Sequence, residues 1–416
     1  MEKRRGLRCQ ICTGCGLCPG IIGADTTKSK AGALHVLAED ALLGEKRPLQ
    51  GGGRRLVTAD IGTTTIAMLL YHTNGAVAER YVTVNPQTAY GADVLSRIRA
   101  AEEREYAEEM CRQVREALEK GIRRFTKLLT EGESLYLVLA ANTTMTYLLM
   151  GWDAEELGHA PFDAGHLSAA QVQIAGVPCF VFPGCSAFVG GDIVAGIYAC
   201  RMAEQRKRIL LIDLGTNGEM VLGDCHRRIA CATAAGPAFE GGANRGIWGA
   251  DMVSLLATLL REKILDGTGL LREDFFEKGI RIGNVSVTQS AIRSVQLAKA
   301  AIAAGIEILL DRYGITAGKV DEVVLAGGFG YYLNPEEAAE IGLLPKELAG
   351  KTITGGNTAL SGALRAGREL FEENNADGLA ARLETLAGNT EIVNLALEPQ
   401  FESRYIRAMD FTKYIW

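Results

Sequence analysis

The sequence RILLIDLGTNGEMVLG, residues 208–223, carries the most informative pattern of the chain. Its first apolar run, Ile209–Ile212, predicts a buried strand that ends at Asp213. The polar turn GTNG, residues 215–218, follows, and a second apolar run leads away from it. The stretch therefore predicts a β-hairpin with a carboxylate at the tip of its first strand.

The turn of this hairpin has the composition of a phosphate-binding loop. Gly215 and Gly218 allow a backbone with positive φ and leave the amide N–H groups open to an anion, while Thr216 and Asn217 add side-chain donors. Asp213 repels phosphate, so its expected partner is a divalent cation that bridges it to the phosphates. The hairpin therefore predicts a site for a metal nucleotide.

A second copy of the pattern lies upstream, where residues 56–71 read LVTADIGTTTIAMLLY. Asp60 stands at the tip of the first strand, and Gly62, Thr63 and Thr64 follow in the turn. Two copies of the same hairpin in one chain predict two related α/β lobes that face a common cleft.

A third glycine motif is VVLAGGFG, residues 323–330. Its apolar strand runs into Gly327 and Gly328, where missing Cβ atoms would let a flat ring lie on the backbone. Two acid-tipped hairpins followed by a strand and a Gly-Gly turn resemble the ASKHA superfamily of ATPases, which includes actin, sugar kinases and heat-shock chaperones. The resemblance implies an α/β fold of two duplicated ribonuclease-H-like lobes around a nucleotide cleft.

This resemblance implies ATP and Mg²⁺ as cofactors. Asp60 and Asp213 are the expected catalytic residues: they hold Mg²⁺, directly or through water, and one of them orients the attacking water. The adenosine is expected to lie on Gly327 and Gly328. The β- and γ-phosphates are expected to be held by residues of the two turns: Gly62, Thr63, Thr64, Gly215, Thr216, Asn217 and Gly218.

Two further polar features are predicted near the cleft. A helix predicted over residues 287–313 carries a polar stripe made of Gln289, Arg293, Gln296 and Lys299. The stripe is too polar for a core face, so we expect it to face the nucleotide, with Lys299 as a cofactor-binding residue. Asp192, behind a glycine pair, has two interpretations: it faces the cleft, or it stabilises a helix N-terminus through the helix dipole.

Composition narrows the classes of function. The chain has 416 residues, 48% of them hydrophobic and 23% charged, and a net charge of −6. An acidic chain argues against nucleic-acid or membrane-surface partners. The most apolar stretch, residues 135–151, is interrupted by polar side chains, and no apolar signal core follows the N-terminus. We expect a cytoplasmic protein, with the choice between monomer and homodimer left open.

Four of the ten cysteines cluster in RCQICTGCGLCPG, residues 8–20: Cys9, Cys12, Cys15 and Cys18. Without a signal peptide, disulfides are not expected. The repeated C-x2-C spacing lets one loop place four thiolates around one centre, as in a bacterial ferredoxin run whose last gap is one residue longer. An iron–sulfur cluster, with [4Fe–4S] as the expected type, and a four-thiolate zinc site both fit. The other six cysteines are predicted to be small buried apolar residues.

These features divide the chain into four segments. Residues 1–20 form the cysteine-rich loop, and residues 21–55 form a linker that contains three consecutive glycines. Residues 56–205 are ATPase lobe I, and residues 206–416 are ATPase lobe II with a C-terminal tail. Each lobe is expected to contain three strands, then a helix, a strand, a helix, a strand and a helix.

The family can be narrowed further, because a set of motifs together resembles the reductive activators of corrinoid proteins. The motifs are NPQTAYGADVLSRI at residues 85–98, NTTMTYLLMG at 142–151, PGCSAFVGGD at 183–192, AAGPAFEGG at 234–242, VTQSAIRSVQLAKAAI at 287–302, LAGGFG at 325–330 and TGGNTALSGA at 354–363. The resemblance covers most of residues 55–416. It implies that ATP drives an electron from an iron–sulfur module onto an inactive Co(II) corrinoid in a methyltransferase system, and it favours iron–sulfur over zinc.

The resemblance also implies partners: a corrinoid protein or another low-potential metalloprotein as acceptor, and an electron donor. Family members carry a larger ferredoxin-like domain and a middle domain, and here the cysteine loop and the linker are expected to replace both. Two rival hypotheses are a small-molecule kinase of the same superfamily and a zinc-stabilised, chaperone-like or scaffolding ATPase. The related activators of 2-hydroxyacyl-CoA dehydratases hold their cluster through cysteines inside the ATPase lobes, whereas the cysteine cluster here is N-terminal.

Overall fold

The computed structural model describes residues 48–234, 249–282, 285–330 and 333–411. The predicted cluster ligands Cys9, Cys12, Cys15 and Cys18, and most of the predicted linker, lie outside the described residues. Of the six other cysteines, Cys179, Cys200 and Cys231 are buried and the remaining three are partly exposed.

The described strands form two large sheets and one small hairpin. Their bounds are β1 Arg54–Ile61, β2 Thr65–Tyr71, β3 Val77–Val84, β4 Ser134–Ala141, β5 Ala170–Ile174, β6 Val177–Val181, β7 Ile209–Leu214, β8 Gly218–Gly223, β9 Arg228–Thr233, β10 Ile280–Ile282, β11 Val285–Val287, β12 Glu322–Ala326, β13 Thr352–Gly356 and β14 Thr390–Val393.

The helices connect and cover these strands. They are α1 Val94–Ala101, α2 Arg104–Thr126, α3 Thr143–Met150, α4 Glu155–Gly158, α5 Gly191–Ala199, α6 Gly249–Arg261, α7 Glu273–Phe276, α8 Gln289–Tyr313, α9 Gly327–Gly330, α10 Pro335–Glu340, α11 Lys346–Ala349, α12 Thr358–Glu373, α13 Ala376–Gly388 and α14 Phe401–Ala408. Single-turn 3₁₀ helices cover Pro86–Ala89, Met202–Glu204, Ala317–Lys319 and Leu395–Leu397. None of the described helices is long and apolar enough to cross a membrane.

The two large sheets repeat one topology. The strand order is β3-β2-β1-β4-β6-β5 in the first sheet and β13-β12-β7-β8-β9-β14 in the second. In each sheet an antiparallel three-strand meander is extended by parallel strands beside its first strand: β4 pairs with β1, and β12 pairs with β7. This repetition confirms the predicted α/β fold of two duplicated lobes.

Residue alternation along the strands explains how the lobes pack. Leu56 of β1 and Ile209 and Leu211 of β7 belong to one central apolar cluster that spans both sheets. Their neighbours in sequence, such as Val57 and Ile212, belong to two outer clusters, one for each lobe. Because successive side chains of a strand point to opposite faces, each sheet has an inner face toward the other lobe and an outer face.

Two helices fill the space between the inner faces. Helix α5 leaves lobe I, and helix α12 belongs to lobe II, yet the two pack against each other and α12 also contacts β1 and β4. The outer face of lobe I is covered by α2 and α3, and that of lobe II by α6 and α8. The molecule therefore has alternating layers of helix and sheet, with the ends of β1 and β7 on either side of the central helices.

Several elements differ from the sequence-based expectation. Strand β5, with the sequence AQVQI, and strand β14 add an edge to each sheet, and β10–β11 form a separate hairpin. The helix predicted from residue 287 begins at Gln289, because residues 285–287 pair as β11. Helix α14 of the C-terminal tail packs against α8, so the described part of the tail lies on lobe II, as expected.

Candidate functional site

Asp60 and Asp213 occupy equivalent places in the two lobes. Asp60 is the penultimate residue of β1, and Asp213 is the penultimate residue of β7. Alternation along each strand puts both carboxylates on the inner faces, because Leu56 and Leu211, an even number of residues away, lie in the central cluster. Repulsion from Asp60 contributes to the raised pKa of Asp213, so the two carboxylates lie within electrostatic range of each other.

The turns that follow these strands meet each other across the lobes. The Thr64 and Thr216 hydroxyl oxygens are 3.1 Å apart and share a hydrogen bond. Gly62 N–H donates to Thr65 O at 2.9 Å, and Gly215 N–H donates to Asn217 O at 3.0 Å, which closes each turn on itself. The turn residues of both hairpins are therefore gathered at one point between the lobes.

The glycines of these turns do not use the conformation predicted for them. Among the described glycines with positive φ are Gly327 and Gly356, but not Gly62, Gly215 or Gly218. This corrects the expectation that Gly215 and Gly218 turn the chain through the left-handed region. Gly218 instead begins β8, where a Cβ atom would meet the Ile302 side chain of α8 at 3.2 Å, while a Cβ atom on Gly215 would meet open space.

Two more carboxylates join the pair. Glu219 of β8 lies directly opposite Asp213 in the antiparallel ladder, and residues opposite each other in a ladder carry their side chains on the same face. Asp192, in the first turn of α5, interacts electrostatically with Asp60, Asp213 and Glu219. The structure thus brings four acidic side chains together where the two lobes face each other.

Burial raises the pKa of all four groups, and repulsion from neighbouring carboxylates adds to the shift for Asp192, Asp213 and Glu219. Burial raises the pKa of Asp60 to about 6, against a hydrogen bond from Asn357 that lowers it. Burial first, then repulsion from Asp60, raises the pKa of Asp192 to about 7. Burial, then repulsion from Asp192 and Asp60, raises the pKa of Asp213 to about 8. The pKa of Glu219 is also raised, mainly by burial, although the Asn217 side chain donates a hydrogen bond to it.

Glu219 is buried, and Asp60, Asp192 and Asp213 are only partly exposed, so little water can screen their charges. Like charges in such a place favour protonation of some members, and a bound cation would favour the ionised forms instead. The second interpretation of Asp192 also holds in part, because its carboxylate accepts a hydrogen bond of 2.8 Å from Ile193 N–H at the start of α5.

Buried polar side chains of lobe I form hydrogen bonds with the turn that follows β1. Asn142, the N-cap of α3, donates to the Thr63 hydroxyl at 3.2 Å. Asn85 donates to the Gly62 carbonyl at 2.9 Å, and the fully buried Arg97 donates to the Thr63 carbonyl. Because Asn85 and Arg97 donate to carbonyl groups of the turn, its backbone orientation is fixed by residues of lobe I.

Asn357 reaches the same site from lobe II. Its side-chain NH₂ group donates to the Asp60 carboxylate at 2.6 Å, and its side-chain oxygen accepts from Leu360 N–H at 2.8 Å as the N-cap of α12. A charge-assisted hydrogen bond of this length holds a carboxylate in one orientation. Asp60 is therefore fixed by a residue of the opposite lobe.

The Gly-Gly turn lies beside Asp213. Ala326, the last residue of β12, pairs with Asp213, and Gly327 follows with φ of +81°. A Cβ atom on Gly327 would lie 2.4 Å from Leu214 O and 2.6 Å from the Asp213 carboxylate. Gly328 is exposed and belongs to the short helix α9. The absence of a side chain at Gly327 is therefore what lets this turn approach the carboxylate.

Lys299 differs from its predicted placement. Its side chain is 0% exposed, its ammonium group donates to Asp410 O at 2.8 Å, and it lies over the Phe411 ring. Its neighbour in the stripe, Gln296, donates to Thr268 O and Met409 O. These contacts correct the prediction of a nucleotide-facing stripe, since the polar groups of α8 are used to hold backbone segments of lobe II.

The described residues at this site offer groups that suit a metal nucleotide. No group of three or more His, Cys, Asp or Glu side chains within the described ranges has the geometry to hold a metal ion. The four carboxylates are instead paired with two short turns that carry amides and hydroxyls, and the space beside Gly215 is open. Water-separated Mg²⁺ that also binds phosphate oxygens suits such a set, because Mg²⁺ keeps several of its waters.

Sequence reasoning missed Glu219 and Asn357 as members of the site. The register of the hairpin could have identified Glu219, because Leu214 pairs with Gly218 and the next pair is Asp213 with Glu219. Asn357 lies in the motif TGGNTALSGA, but nothing in that motif predicts its contact with Asp60, which spans 297 positions.

Comparison with known proteins identifies the family. The family model described as the RACo middle region matches residues 56–205, and the model of the C-terminal domain of RACo, the ASKHA domain, matches residues 207–245 and 242–414. The chain belongs to the RACo family of reductive activators of corrinoid proteins. The match of residues 56–205 corrects the expectation that a linker replaces the middle domain, because RACo's middle region is this first lobe.

Two relatives illustrate the family. The corrinoid activation enzyme RamQ of Eubacterium limosum is 28% identical to this chain over an alignment of 431 residues. The alignment covers 87% of this chain and 70% of RamQ. The solved structure of a reductive activator for a corrinoid, iron–sulfur protein superposes on this chain with a TM-score of 0.75 and 28% sequence identity. The matched region covers 88% of this chain and 67% of the activator chain. Membership of the RACo family supports a role in corrinoid reductive activation.

Proposed function

We propose that this RACo-family protein is an ATPase that drives a low-potential, one-electron transfer from an iron–sulfur cluster to a partner metalloprotein, a corrinoid protein of a methyltransferase system. The observation that carries the proposal is the meeting of Asp60, Asp192, Asp213 and Glu219 between the two facing turns of a RACo-family chain. A corrinoid protein as acceptor agrees with the names of both relatives.

The proposed roles follow from the positions of the residues. Asp60 and Asp213 would hold Mg²⁺, through water or directly, and one of them would orient the attacking water. The amides and hydroxyls of the two turns would hold the β- and γ-phosphates, and the adenosine would lie against the backbone of Gly327 and Gly328. When bound, Mg·ATP supplies the phosphoryl group whose transfer to water releases free energy.

The pairing of an ATPase with a redox centre has an energetic reason. Moving one electron uphill by roughly 200–300 mV costs about 5–7 kcal/mol, which nucleotide binding and hydrolysis can offset. The hydrogen bond between Thr64 and Thr216 supports lobe closure as the transmission, because phosphates between the turns would contact both lobes at once. Cys9, Cys12, Cys15 and Cys18 would hold the iron–sulfur cluster, which supplies the electron.

We also propose the domain order of cysteine-rich loop 1–20, linker 21–55, lobe I 56–205 and lobe II 206–416, together with a cytoplasmic location and a separate electron donor. The loop would be tethered rather than built into either lobe, so that it can approach the acceptor. Zinc at the four thiolates would make the loop structural and would remove the electron source.

An anaerobic assay tests the proposal. The full chain, a chemical reductant and a Co(II) corrinoid protein are mixed with and without Mg·ATP, and the Co(I) absorbance is followed. We expect reduction that needs ATP, iron and sulfide in the purified protein, and loss of both ATP hydrolysis and reduction in Asp213→Asn. The matched control Asp163→Asn changes an exposed acid and should keep both activities.

Other outcomes identify the rival functions. ATP consumption that requires a small metabolite and no partner protein would indicate a kinase. Zinc without iron, with slow ATP hydrolysis and no chromophore, would indicate a scaffolding ATPase. A protein that hydrolyses ATP but reduces no corrinoid or other low-potential acceptor would overturn the electron-transfer part of the proposal.

A further inference from the structure

The side-chain amide of Asn357 makes two hydrogen bonds, one through its oxygen and one through its NH₂ group. The oxygen accepts from Leu360 N–H at 2.8 Å and caps α12, whereas the NH₂ group donates to the Asp60 carboxylate at 2.6 Å. A cap needs only the acceptor, and Ser, Thr or Asp would supply it as well. Capping of α12 therefore does not explain why this position carries an NH₂ donor.

The position of Asn357 links Asp60 to the strands that lie beside Asp213. It directly follows β13, whose neighbour β12 leads into the Gly327 turn beside Asp213. It also begins α12, which lies between the sheets and contacts β1, the strand that carries Asp60. The hydrogen bond from Asn357 thus fixes a lobe I carboxylate to the end of a lobe II strand.

We propose that Asn357 is a positioning residue that orients the Asp60 carboxylate from the opposite lobe for Mg·ATP hydrolysis. The inference rests on the proposed ATPase function of this site. Asp60 accepts a charge-assisted hydrogen bond from a side chain whose other end is locked into the first turn of α12. Relative movement of the lobes would therefore change the orientation of Asp60, and productive orientation would require the lobes to be in contact.

Neighbouring groups make the arrangement rigid. The Asn357 carbonyl accepts from both Ser361 N–H at 3.1 Å and the Ser361 hydroxyl at 3.0 Å. The next residues pack without free space, since a Cβ atom on Gly362 would lie 2.1 Å from Ala195 O of α5. Asn357 cannot shift without moving the contact between the two central helices, so its donor has one direction.

The test separates the donor from the cap. Asn357→Ser keeps a capping hydroxyl but is too short to reach Asp60, and Asn357→Asp keeps cap and size but places a second acceptor against the carboxylate. We expect kcat for phosphate release from Mg·ATP to fall about tenfold to hundredfold in both variants, while KM for ATP changes less than about threefold. The midpoint of thermal unfolding of Asn357→Ser should match that of the control, whereas Asn357→Asp should lose some stability through repulsion from Asp60.

The matched control is Asn375→Ser. Asn375 is the N-cap of α13, accepts from Gly378 N–H at 2.9 Å and is exposed, so the same substitution exchanges an equivalent amide cap for a hydroxyl cap away from the carboxylates of the site. A normal kcat in Asn357→Ser would overturn the inference. A loss of thermal stability in both Asn357 variants that clearly exceeds that of the control would also overturn it, because it would show a structural role. Absence of ATP hydrolysis in the unchanged protein would instead remove the proposed function itself.

Discussion

Thr64 and Thr216 join the two lobes through a hydrogen bond of 3.1 Å between their hydroxyl groups. Each lies in the turn that follows a carboxylate-tipped strand, Thr64 four residues after Asp60 in lobe I and Thr216 three residues after Asp213 in lobe II. The duplicated turns therefore meet at their tips. A group bound between them would contact the equivalent turns of both lobes, which is the geometry that converts binding into lobe closure.

Replacing these threonines tests the joint action of the turns. In Thr64→Val and Thr216→Val the shape is kept and one hydroxyl is lost, so we expect kcat/KM for ATP to fall about fivefold to fiftyfold in each. The double variant should lose less than the product of the two single effects, because each single variant already breaks the shared bond. Thr385→Val, on an exposed helix face, is the control and should be neutral. Fully multiplicative losses would contradict joint action.

The stability of the nucleotide-free protein should depend on pH. Folded-state pKa values of about 6, 7 and 8 for Asp60, Asp192 and Asp213 lie above the unfolded value of 3.8. The folded state therefore binds more protons, and each group makes the free energy of unfolding fall as pH rises from about 4 to its folded pKa. The slope is at most about 1.4 kcal/mol per pH unit for each group.

Urea unfolding between pH 5 and pH 7.5 measures this effect. Asp213→Asn mimics the protonated group, so the variant should become more stable relative to the unchanged protein as pH rises. Excess Mg·ADP should reduce the dependence, because a cation stabilises the ionised carboxylates. Asp163→Asn, an exposed acid, should run parallel to the unchanged protein. A pH-independent difference for Asp213→Asn would contradict the raised pKa of this group.

Gly327→Ala should damage the site through the backbone. The residue has φ of +81°, and the new Cβ atom would lie 2.4 Å from Leu214 O and 2.6 Å from the Asp213 carboxylate. We expect a loss of stability of about 1–3 kcal/mol and a fall in ATP hydrolysis larger than that loss explains, because Asp213 must move. Gly388→Ala, at an open helix end, is the control and should be neutral or slightly stabilising. Unchanged hydrolysis would show that this turn tolerates a side chain.

The sequence was sufficient to predict the parts of the site that depend on local patterns. Apolar runs that end in Asp60 and Asp213 predicted the two hairpins, and strand alternation puts both acids on the inner faces. Strand β5 was missed although AQVQI alternates between apolar and polar residues, because the run has only five residues and two of them are glutamine. An edge strand needs only one buried face, so its signal is weaker than that of β1 or β7.

Contacts between distant segments could not be predicted in the same way. The bond between Asn357 and Asp60 exists only because α12 lies between the two sheets, a consequence of packing across both lobes. The stripe of α8 was misplaced for the same reason. Its polar groups satisfy carbonyls of residues 268 and 409–410, which are distant in sequence, so polarity alone could not distinguish a ligand from a neighbouring backbone segment.

Lys299→Met tests the corrected role of this lysine. The buried ammonium donates to Asp410 O at 2.8 Å, and the substitution removes this hydrogen bond from the backbone carbonyl. We therefore expect the free energy of unfolding to fall by about 1–3 kcal/mol. KM for ATP should stay within about twofold, because the contacts of Lys299 point to the C-terminal tail. Urea unfolding and initial rates of phosphate release measure the two quantities.

The loss of stability in Lys299→Met should increase with pH. Burial lowers the pKa of Lys299 to about 7, below the unfolded value of 10.5, so the unfolded state binds more protons between these values. The stability that Lys299 contributes should therefore increase as pH rises from about 7 toward 10, and the deficit of Lys299→Met should grow with it. Lys346→Met replaces an exposed lysine and should show no such trend. A large increase in KM for ATP in Lys299→Met, without a stability loss, would restore the nucleotide-facing interpretation.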